Sequence, residues 1–164
     1  MAPCTIRPAT PADLAAINAI YNYYVFHSTS TYQTEPTTPE EREAWFAAHG
    51  PLHPVTIAEL DGTVAGWGAL SPFHRRSAYR HTVEDSVYVH PDFLRRGIGA
   101  TILADLIEQA REIGHHTILG VIDADQGPSI ALHERFGFRP ASHLREVGHK
   151  FDRWLDVVHM QLIL

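Results

Sequence analysis

The feature that most constrains this chain is the stretch from Thr82 to Ala100, where a strand pattern leads through a loop into a helix pattern. Residues Thr82–Val89 are rich in β-branched and aromatic side chains, which is typical of a strand. A loop ending in the run Arg95–Gly99 follows, and a long helical pattern begins there. The unpaired N–H groups and positive dipole end of a helix's first turn attract anions, and glycine lets a ligand approach the backbone. This stretch therefore predicts a site for a phosphate or pyrophosphate.

Length, charge and cysteine content narrow the class of protein. The 164 residues fit a single domain spanning 1–164. A formal net charge of −6 argues against bulk attraction to nucleic acid or anionic lipid. Cys4 is the only cysteine, so no intrachain disulfide can form and a reducing compartment is expected. With no membrane-length apolar run and no signal-peptide pattern, we expect a cytoplasmic protein without a membrane partner.

The remaining patterns predict helices and strands arranged around one mixed sheet. Strands are expected over Thr5–Arg7, Val55–Leu60, Thr63–Leu70, Tyr79–Val89 and Thr117–Ile122, then in a final pair that starts at Phe138 and ends over Trp154–Leu164. Helices are expected from Pro11 to about Phe26, from Pro39 to before Gly50, from Ile98 to Ile113, and from Pro128 to about Phe136. Asp61-Gly62 is a strong two-residue hairpin signal. His27–Glu35 has no assignable period, and a substrate-facing loop is one interpretation.

Asp85 disturbs the alternation of the central strand. Strict alternation along Thr82–Val89 places this carboxylate on the same face as three valines, which is costly without a partner. A β-bulge near Asp85–Ser86 would rephase the strand and leave N–H groups unpaired beside Val87 and Tyr88. Such donors can hold a ligand's amides or a developing oxyanion. The alternative is a regular edge strand with Asp85 in solvent; of the two, the bulge is the prediction.

Five blocks of sequence carry a family resemblance. They are Ala78–Pro91, Ser129–Phe138, Val147–Val157, Tyr21-Asn22 and Thr34-Glu35-Pro36. Through them the chain resembles the Gcn5-related N-acetyltransferases (GNAT), and within these the phosphinothricin and methionine sulfone/sulfoximine acetyltransferase family. The resemblance implies an α/β (α+β mixed-sheet) GNAT-like fold, with a mostly antiparallel sheet, a splayed or bulged central strand and helices on both faces. It also implies acetyl-CoA as co-substrate, and a homodimer, because relatives are commonly dimers.

The resemblance assigns the cofactor site to three parts of the chain. The implied residues are Val87, Tyr88, Val89, Leu94, Arg95, Arg96, Gly97, Ile98, Gly99, Ala100, Gln126 and Ser129. Two of them depart from the family pattern. Leu94 stands where Gln or Arg is usual, and we expect the site to survive because backbone N–H groups hold most of the phosphate. Gln126 stands where Asn usually precedes the late helix, and its amide can make a similar bond from a longer stem.

The implied reaction is direct acyl transfer from acetyl-CoA to an amine, which must lose a proton before it attacks. Glu84 is the candidate general base, acting directly or through a water, because partial burial raises the pKa of a carboxyl toward a useful range. His133 is the candidate proton donor to the leaving thiolate. It stands where many superfamily members have a tyrosine on the late helix.

The acceptor site is assigned to residues before and within the central strand. Arg75 and Arg76 precede that strand, and an arginine fork suits an amino acid's α-carboxylate. The other candidates for contact with the acceptor are Phe73, Tyr79, Tyr32, Thr82 and Val83. The leading hypothesis is an acceptor with an α-amino group: an amino acid or an analogue such as phosphinothricin, methionine sulfone or methionine sulfoximine.

Alternatives remain open at this point. The acceptor is otherwise a polyamine, an antibiotic or a peptide N-terminus, or the chain is a catalytically silent acyl-CoA-binding module that keeps the loop without needing Glu84. Twelve histidines raise the question of a metal. Neighbours such as His115-His116 point apart and no spaced ligand set accompanies them, so no metal is expected.

Overall fold

The computed structural model describes residues 4–164, and its centre is a seven-stranded sheet in the order β1-β2-β3-β4-β5-β7-β6. The strands are β1 (Thr5–Pro8), β2 (Val55–Leu60), β3 (Thr63–Pro72), β4 (Thr82–Val89), β5 (Thr117–Asp123), β6 (Arg139–Lys150) and β7 (Arg153–Ile163). Neighbouring strands are antiparallel except β4 and β5, which are parallel. The predicted mixed, mostly antiparallel sheet is confirmed.

Helices cover both faces of this sheet. They are α1 (Leu14–His27), α2 (Pro39–Ala48), α3 (Ile98–Ile113) and α4 (Gly127–Arg135), with 3-10 turns at Pro11–Asp13, Ser77–Tyr79 and Pro91–Phe93. Residues of α1 and α2 pack around Trp67 on one face, while α3 and α4 pack on the other. No helix within residues 4–164 combines the length and apolar character needed to cross a membrane.

Where local chemistry is strong, the predicted elements form as expected. The helix α3 spans the predicted residues and ends at Gly114, whose φ of 93° only glycine adopts readily. Asp61 and Gly62 both have positive φ, 51° and 75°, as a type I′ hairpin turn requires. Thr38 and Glu41 form a reciprocal capping box that starts α2.

Two boundaries near the central strand differ from the prediction. The strand begins at Thr82 rather than Tyr79, because Ser77–Tyr79 forms a 3-10 turn. The Tyr79 ring packs edge-on against Phe73 at 5.5 Å and tilted on His74 at 4.9 Å, which folds this segment back on itself. The segment between α1 and α2, for which no period could be assigned, contains neither helix nor strand.

The predicted bulge at Asp85–Ser86 is wrong. Strands β3 and β4 pair in unbroken register from Gly66↔Val89 to Pro72↔Val83. The predicted splay is present instead on the other side of β4, where pairing with β5 ends at Asp85↔Gly120. Beyond this point β5 pairs with β7 alone. A gap therefore opens in the sheet beside the second half of β4.

Candidate functional site

The gap between β4 and β5 exposes backbone donors of β4. The N–H of His90 donates to the carbonyl of Ala65 at 2.8 Å, which continues the β3–β4 ladder. Because hydrogen-bonded pairs alternate along an antiparallel ladder, the N–H groups of Val87 and Val89 point away from β3, into the gap. The hydroxyl of Tyr24 already donates to the Val89 carbonyl at 2.6 Å on that side. Two N–H groups are thus directed at whatever enters the gap.

The N-terminus of α3 is built as an open anion site. Its N-cap is Gly97 with φ 80°, no side chain caps it, and no acidic residue occupies its first turn. The first hydrogen bond within the helix is donated by Thr101 to the Gly97 carbonyl, so the N–H groups of residues 98–100 have no partner in the helix. Arg95, with φ 61°, also lies in this loop. These features fit the pyrophosphate of a coenzyme. The side chain of Leu94 is exposed, and the backbone N–H donors do not depend on it.

Glu84 lies on the face of β4 that α1 and α2 cover, opposite the face of Asp85. Burial raises the pKa of the Glu84 carboxyl, and the nearby charge of Asp85 raises it further. Its cross-strand neighbour is Ser71, whose hydroxyl lies 3.1 Å from Nε2 of His49. Glu84 is therefore a half-buried carboxylate with a raised pKa beside the gap, as a general base requires.

Asp85 obtains its partner from α4 rather than from solvent. Nε2 of His133 lies 2.9 Å from Oδ2 of Asp85, and the two side chains are 4% and 2% exposed. Gly120 of β5 makes the room: a Cβ there would lie 2.9 Å from the His133 ring. Burial disfavours the charged imidazole, but the hydrogen bond and charge of Asp85 outweigh it and raise the pKa of His133. With this partner, Asp85 can stay among the valines and the strand needs no bulge.

Both ring nitrogens of His133 are engaged. Besides the contact with Asp85, Nδ1 lies 2.7 Å from the carbonyl oxygen of Ser129. Delivery of a proton to a thiolate would require one of these hydrogen bonds to break. The role of His133 as proton donor stays a prediction.

Gln126 and Tyr32 hold the loop after α1 to the end of β5. The amide nitrogen of Gln126 donates to the Thr29 hydroxyl at 3.0 Å, which leaves the amide oxygen available to a ligand. The single proton of the Tyr32 hydroxyl is shared between two acceptors, Oδ2 of Asp123 at 2.6 Å and the Asp156 carbonyl oxygen at 2.9 Å. Tyr32 thus contacts the ends of β5 and β7, whereas it was predicted to contact the acceptor together with Phe73 and Tyr79.

The loop before β4 gathers four of the other predicted acceptor residues. Phe73 and Tyr79 are in ring contact, and Arg75 and Arg76 are exposed between them. Among residues 4–164, no carboxylate lies within 4.0 Å of either arginine. Thr82 begins the adjoining strand, while the Val83 side chain is completely buried in the core and cannot touch a ligand.

A cleft of about 370 Å³ lies on the Glu84 face of β4, and its one cationic residue was not among the predicted site residues. Arg42 of α2 lines it, together with Trp45, Trp67, Ser86 and Tyr88. The spacing of Arg42 and Trp45, three residues apart after a predicted cap, was the available signal, because it places both on one helix face. Within residues 4–164, no group of three or more His, Cys, Asp or Glu side chains is placed to hold a metal ion.

Comparison with known proteins agrees with this geometry. The model of the Acetyltransferase (GNAT) family matches residues 17–138. The L-methionine sulfoximine/L-methionine sulfone acetyltransferase of Salmonella typhimurium is 39% identical, over 98% of this chain and 94% of its own. The phosphinothricin N-acetyltransferase of Streptomyces viridochromogenes is 38% identical, over 94% of this chain and 85% of its own.

A solved structure gives the same result for the fold. The phosphinothricin acetyltransferase of Sinorhizobium meliloti, in complex with acetyl-CoA, superimposes with a TM-score of 0.95 at 35% identity, covering 98% of this chain and 88% of that one. The resemblance drawn from the sequence blocks is therefore confirmed. The chain belongs to the acetyltransferase (GNAT) family.

Proposed function

We propose that this chain transfers the acetyl group of acetyl-CoA to the α-amino group of an amino acid or amino-acid analogue of the phosphinothricin or methionine sulfone/sulfoximine type. One observation carries the proposal: a half-buried carboxylate with a raised pKa, Glu84, lies on the strand whose free N–H groups face the gap in the sheet. The relatives named above act on such acceptors.

The chain is an acetyl-CoA-dependent acyltransferase, and its described residues fit the co-substrate. We assign the pyrophosphate to the uncapped first turn of α3, residues 98–100, with Arg95 and Arg96 adding positive charge. The N–H groups of Val87 and Val89 are assigned to the acyl-bearing arm, and Gln126 and Ser129 to its outer part. When bound, acetyl-CoA supplies an acetyl group activated as a thioester.

Glu84 is assigned the proton of the acceptor. The ammonium group gives one proton to the Glu84 carboxylate, directly or through a water. The freed nitrogen lone pair attacks the acetyl carbon, the bond from that carbon to sulfur breaks, and the thiolate leaves with the electron pair and takes up a proton. The amide nitrogen loses its second proton, so the products are a neutral amide, CoA and a net proton. The N–H of Val87 is assigned to the acetyl oxygen, where it would stabilise the negative charge that develops.

The acceptor's α-carboxylate is assigned to Arg75 and Arg76, which have no carboxylate partner within 4.0 Å among the described residues. Phe73 and Tyr79 form a small aromatic wall next to them. Thr82 begins the strand at this point. The loop thus combines positive charge and apolar surface at the end of β4 nearest Glu84.

A homodimer in the cytoplasm completes the proposal. The β6–β7 hairpin carries large apolar side chains that are exposed in the single chain, including Val147, Phe151 and Trp154, which is 64% exposed. A surface of this kind marks an interface. Molecular mass in solution, measured by light scattering for the wild-type chain and for Trp154→Glu, tests it. A monomeric wild type contradicts the dimer. The single cysteine agrees with a reducing compartment.

The test of function is CoA release measured over a panel of amines. It includes methionine sulfone, methionine sulfoximine, phosphinothricin, a polyamine and a peptide with a free N-terminus. We expect turnover with the amino-acid analogues. Preference for a polyamine or peptide overturns the acceptor class, and acetyl-CoA binding without turnover of any amine overturns the enzymatic proposal.

A further inference from the structure

Arg42 is a buried cation without an ion-pair partner among the described residues. The residue is only 4% exposed. Within residues 4–164, no Asp or Glu oxygen lies within 4.0 Å of a guanidinium nitrogen of Arg42. Glu41, which also lines the cleft, directs its carboxylate to the backbone N–H of Thr38 at 2.8 Å. A buried charge is costly unless it is paired and hydrogen-bonded. The position of Arg42 therefore calls for an explanation.

Aromatic rings satisfy this guanidinium only in part. Its central carbon lies 4.7 Å from the Tyr21 ring centre, 4.6 Å from that of Trp45 and 5.7 Å from that of Trp67. These contacts offset some of the desolvation cost. Nε donates to Asn18 at 3.2 Å, and this is the one side-chain hydrogen bond that Arg42 makes within the described chain. Of the five N–H donors of a guanidinium, the four on its terminal nitrogens have no acceptor within residues 4–164, and neither of these nitrogens is completely enclosed by protein.

A second unfilled donor belongs to Trp67, which also lines this cleft. The indole nitrogen of Trp67 is buried and has no hydrogen-bond partner within residues 4–164. Its ring is held in place by stacking on Tyr88, with ring centres 4.9 Å apart and planes at 26°. Buried polar groups are nearly always hydrogen-bonded, so an unfilled one points to a group that is missing. Two residues that line one cleft thus carry donors without an acceptor in the described chain, and an acceptor bound there would satisfy them.

We propose that Arg42 and Trp67 form a receptor for an oxyanion of the acceptor molecule, an inference that rests on the proposed function. Ser86 lines this cleft and lies two residues, or roughly 7 Å, along the same face of β4 from Glu84. The Arg75–Arg76 loop lies at the other end, beside Thr82. Glu84 thus stands between two cationic sites. An acceptor whose amine reaches Glu84 directs an oxygen-bearing group toward each of them.

Steady-state kinetics test the receptor. Arg42→Gln is expected to raise KM for methionine sulfone about 10- to 100-fold while kcat stays within about threefold, because the lost hydrogen bonds are charge-assisted and remote from the reacting atoms. Arg42→Lys keeps the charge and loses the forked pair of donors, so its KM should lie between those of the wild type and Arg42→Gln. Arg111→Gln, on the exposed end of α3, is the matched control and should leave KM unchanged. An unchanged KM in a folded Arg42→Gln chain overturns the receptor.

Two acceptor analogues identify the oxyanion. The amide of methionine sulfone lacks the α-carboxylate, and methionine lacks the sulfone oxygens. If Arg42 binds the carboxylate, the Arg42→Gln effect disappears with the amide; if it binds the sulfone, the effect disappears with methionine. An effect that persists undiminished with both analogues assigns Arg42 to folding alone and overturns the proposal.

A binding measurement separates this inference from the proposed function. The chain has three tryptophans, so a ¹⁵N-labelled sample gives three indole N–H signals, assigned by Trp→Phe variants. At constant ionic strength, methanesulfonate or acetate should shift the Trp67 signal saturably in wild type and Arg111→Gln, but not in Arg42→Gln. In Arg42→Lys, which serves as the test if Arg42→Gln does not fold, the same shift should require higher anion concentrations than in wild type. This result supports the receptor even if no amine is acetylated. A Trp67 signal that stays fixed in wild type, or moves equally in the variant, overturns it.

Discussion

The imidazole of His133 and the carboxylate of Asp85 form a buried pair, Nε2 to Oδ2 2.9 Å, that joins α4 to the central strand across β5. They meet directly over Gly120, the last β5 residue paired with β4. The pair therefore lies where the two strands separate. Because Oδ1 of Asp85 has no hydrogen-bond partner in the described chain, His133 is the main compensation for this charge.

Removing only the histidine of this pair should destabilise the fold much more than removing both polar side chains. His133→Leu leaves an uncompensated carboxylate in the core, so we expect the free energy of unfolding to fall by about 3–5 kcal/mol. Asp85→Val/His133→Leu removes both polar groups and should recover most of this loss. Urea unfolding at pH 7 measures both. If the double variant is no more stable than the single, the charge is not what destabilises it.

The same double variant decides the role of His133 in the reaction. If it folds and keeps a kcat near that of the wild type, the pair only positions α4 and β4. A fall of about 10²-fold or more in a stable chain assigns proton donation to His133. Stability and kcat thus separate the two interpretations, which loss of activity in the single variant cannot do.

A methyl group at Gly120 should displace the pair. The added Cβ would lie 2.9 Å from both Cδ2 and Nε2 of His133, closer than such contacts occur. Gly120→Ala is therefore expected to lower the free energy of unfolding by about 1–3 kcal/mol. Gly127→Ala is the matched control, because nothing lies within 4 Å of a Cβ there, and it should be neutral or slightly stabilising. Equal effects of the two substitutions would show that Gly120 is not chosen for the space it leaves.

The sequence predicted much of this fold because its local signals agree with each other. Each of these signals depends on residues that are close in sequence: the apolar face of α3, the Asp61-Gly62 turn and the cap of α2. The start of β4 was misplaced because Tyr79 has strand propensity, while its ring contacts with Phe73 and His74 fold this segment into a turn. Propensity gives way to packing where the two disagree.

What the sequence could not give were contacts between distant residues. The cost of Asp85 among valines was visible, but its partner lies 48 positions later. The prediction therefore relieved the cost with a bulge in the strand, whereas in the structure His133 pairs with Asp85 and the strand stays regular. Tyr32 was expected at the acceptor loop, and its hydroxyl instead reaches Asp123, 91 positions away. Arg42 was not predicted as a site residue. No pattern in the nearby sequence indicates that a buried arginine here has no carboxylate partner within residues 4–164.

Glu84 should control the acid side of the pH profile. Burial and the charge of Asp85 raise the pKa of Glu84, so the free enzyme loses its base as the pH falls through a value above the usual glutamate range. We expect kcat/KM for methionine sulfone to decline on that side in wild type. Glu84→Gln should lower kcat by about 10²-fold or more and remove this limb.

Glu59→Gln is the control for Glu84, since Glu59 is a glutamate at the far end of the sheet that pairs with Arg7. Its profile should follow the wild type. Wild-type turnover by Glu84→Gln at every pH would remove Glu84 from the mechanism.

The loop before α3 should hold acetyl-CoA by its backbone and its arginines, and Leu94 should matter little. Arg95→Gln and Arg96→Gln are each expected to weaken acetyl-CoA binding about 2- to 10-fold at low salt, and less near 0.1 M salt, where the Debye length is about 10 Å. Leu94→Gln, which restores the side chain usual in the family, should change the Kd less than twofold. Arg111→Gln removes the same charge from the other end of α3, some 20 Å away, and is the matched control. Calorimetric titration measures each Kd. A gain of tenfold in Leu94→Gln would show that this side chain, rather than the backbone, limits the site.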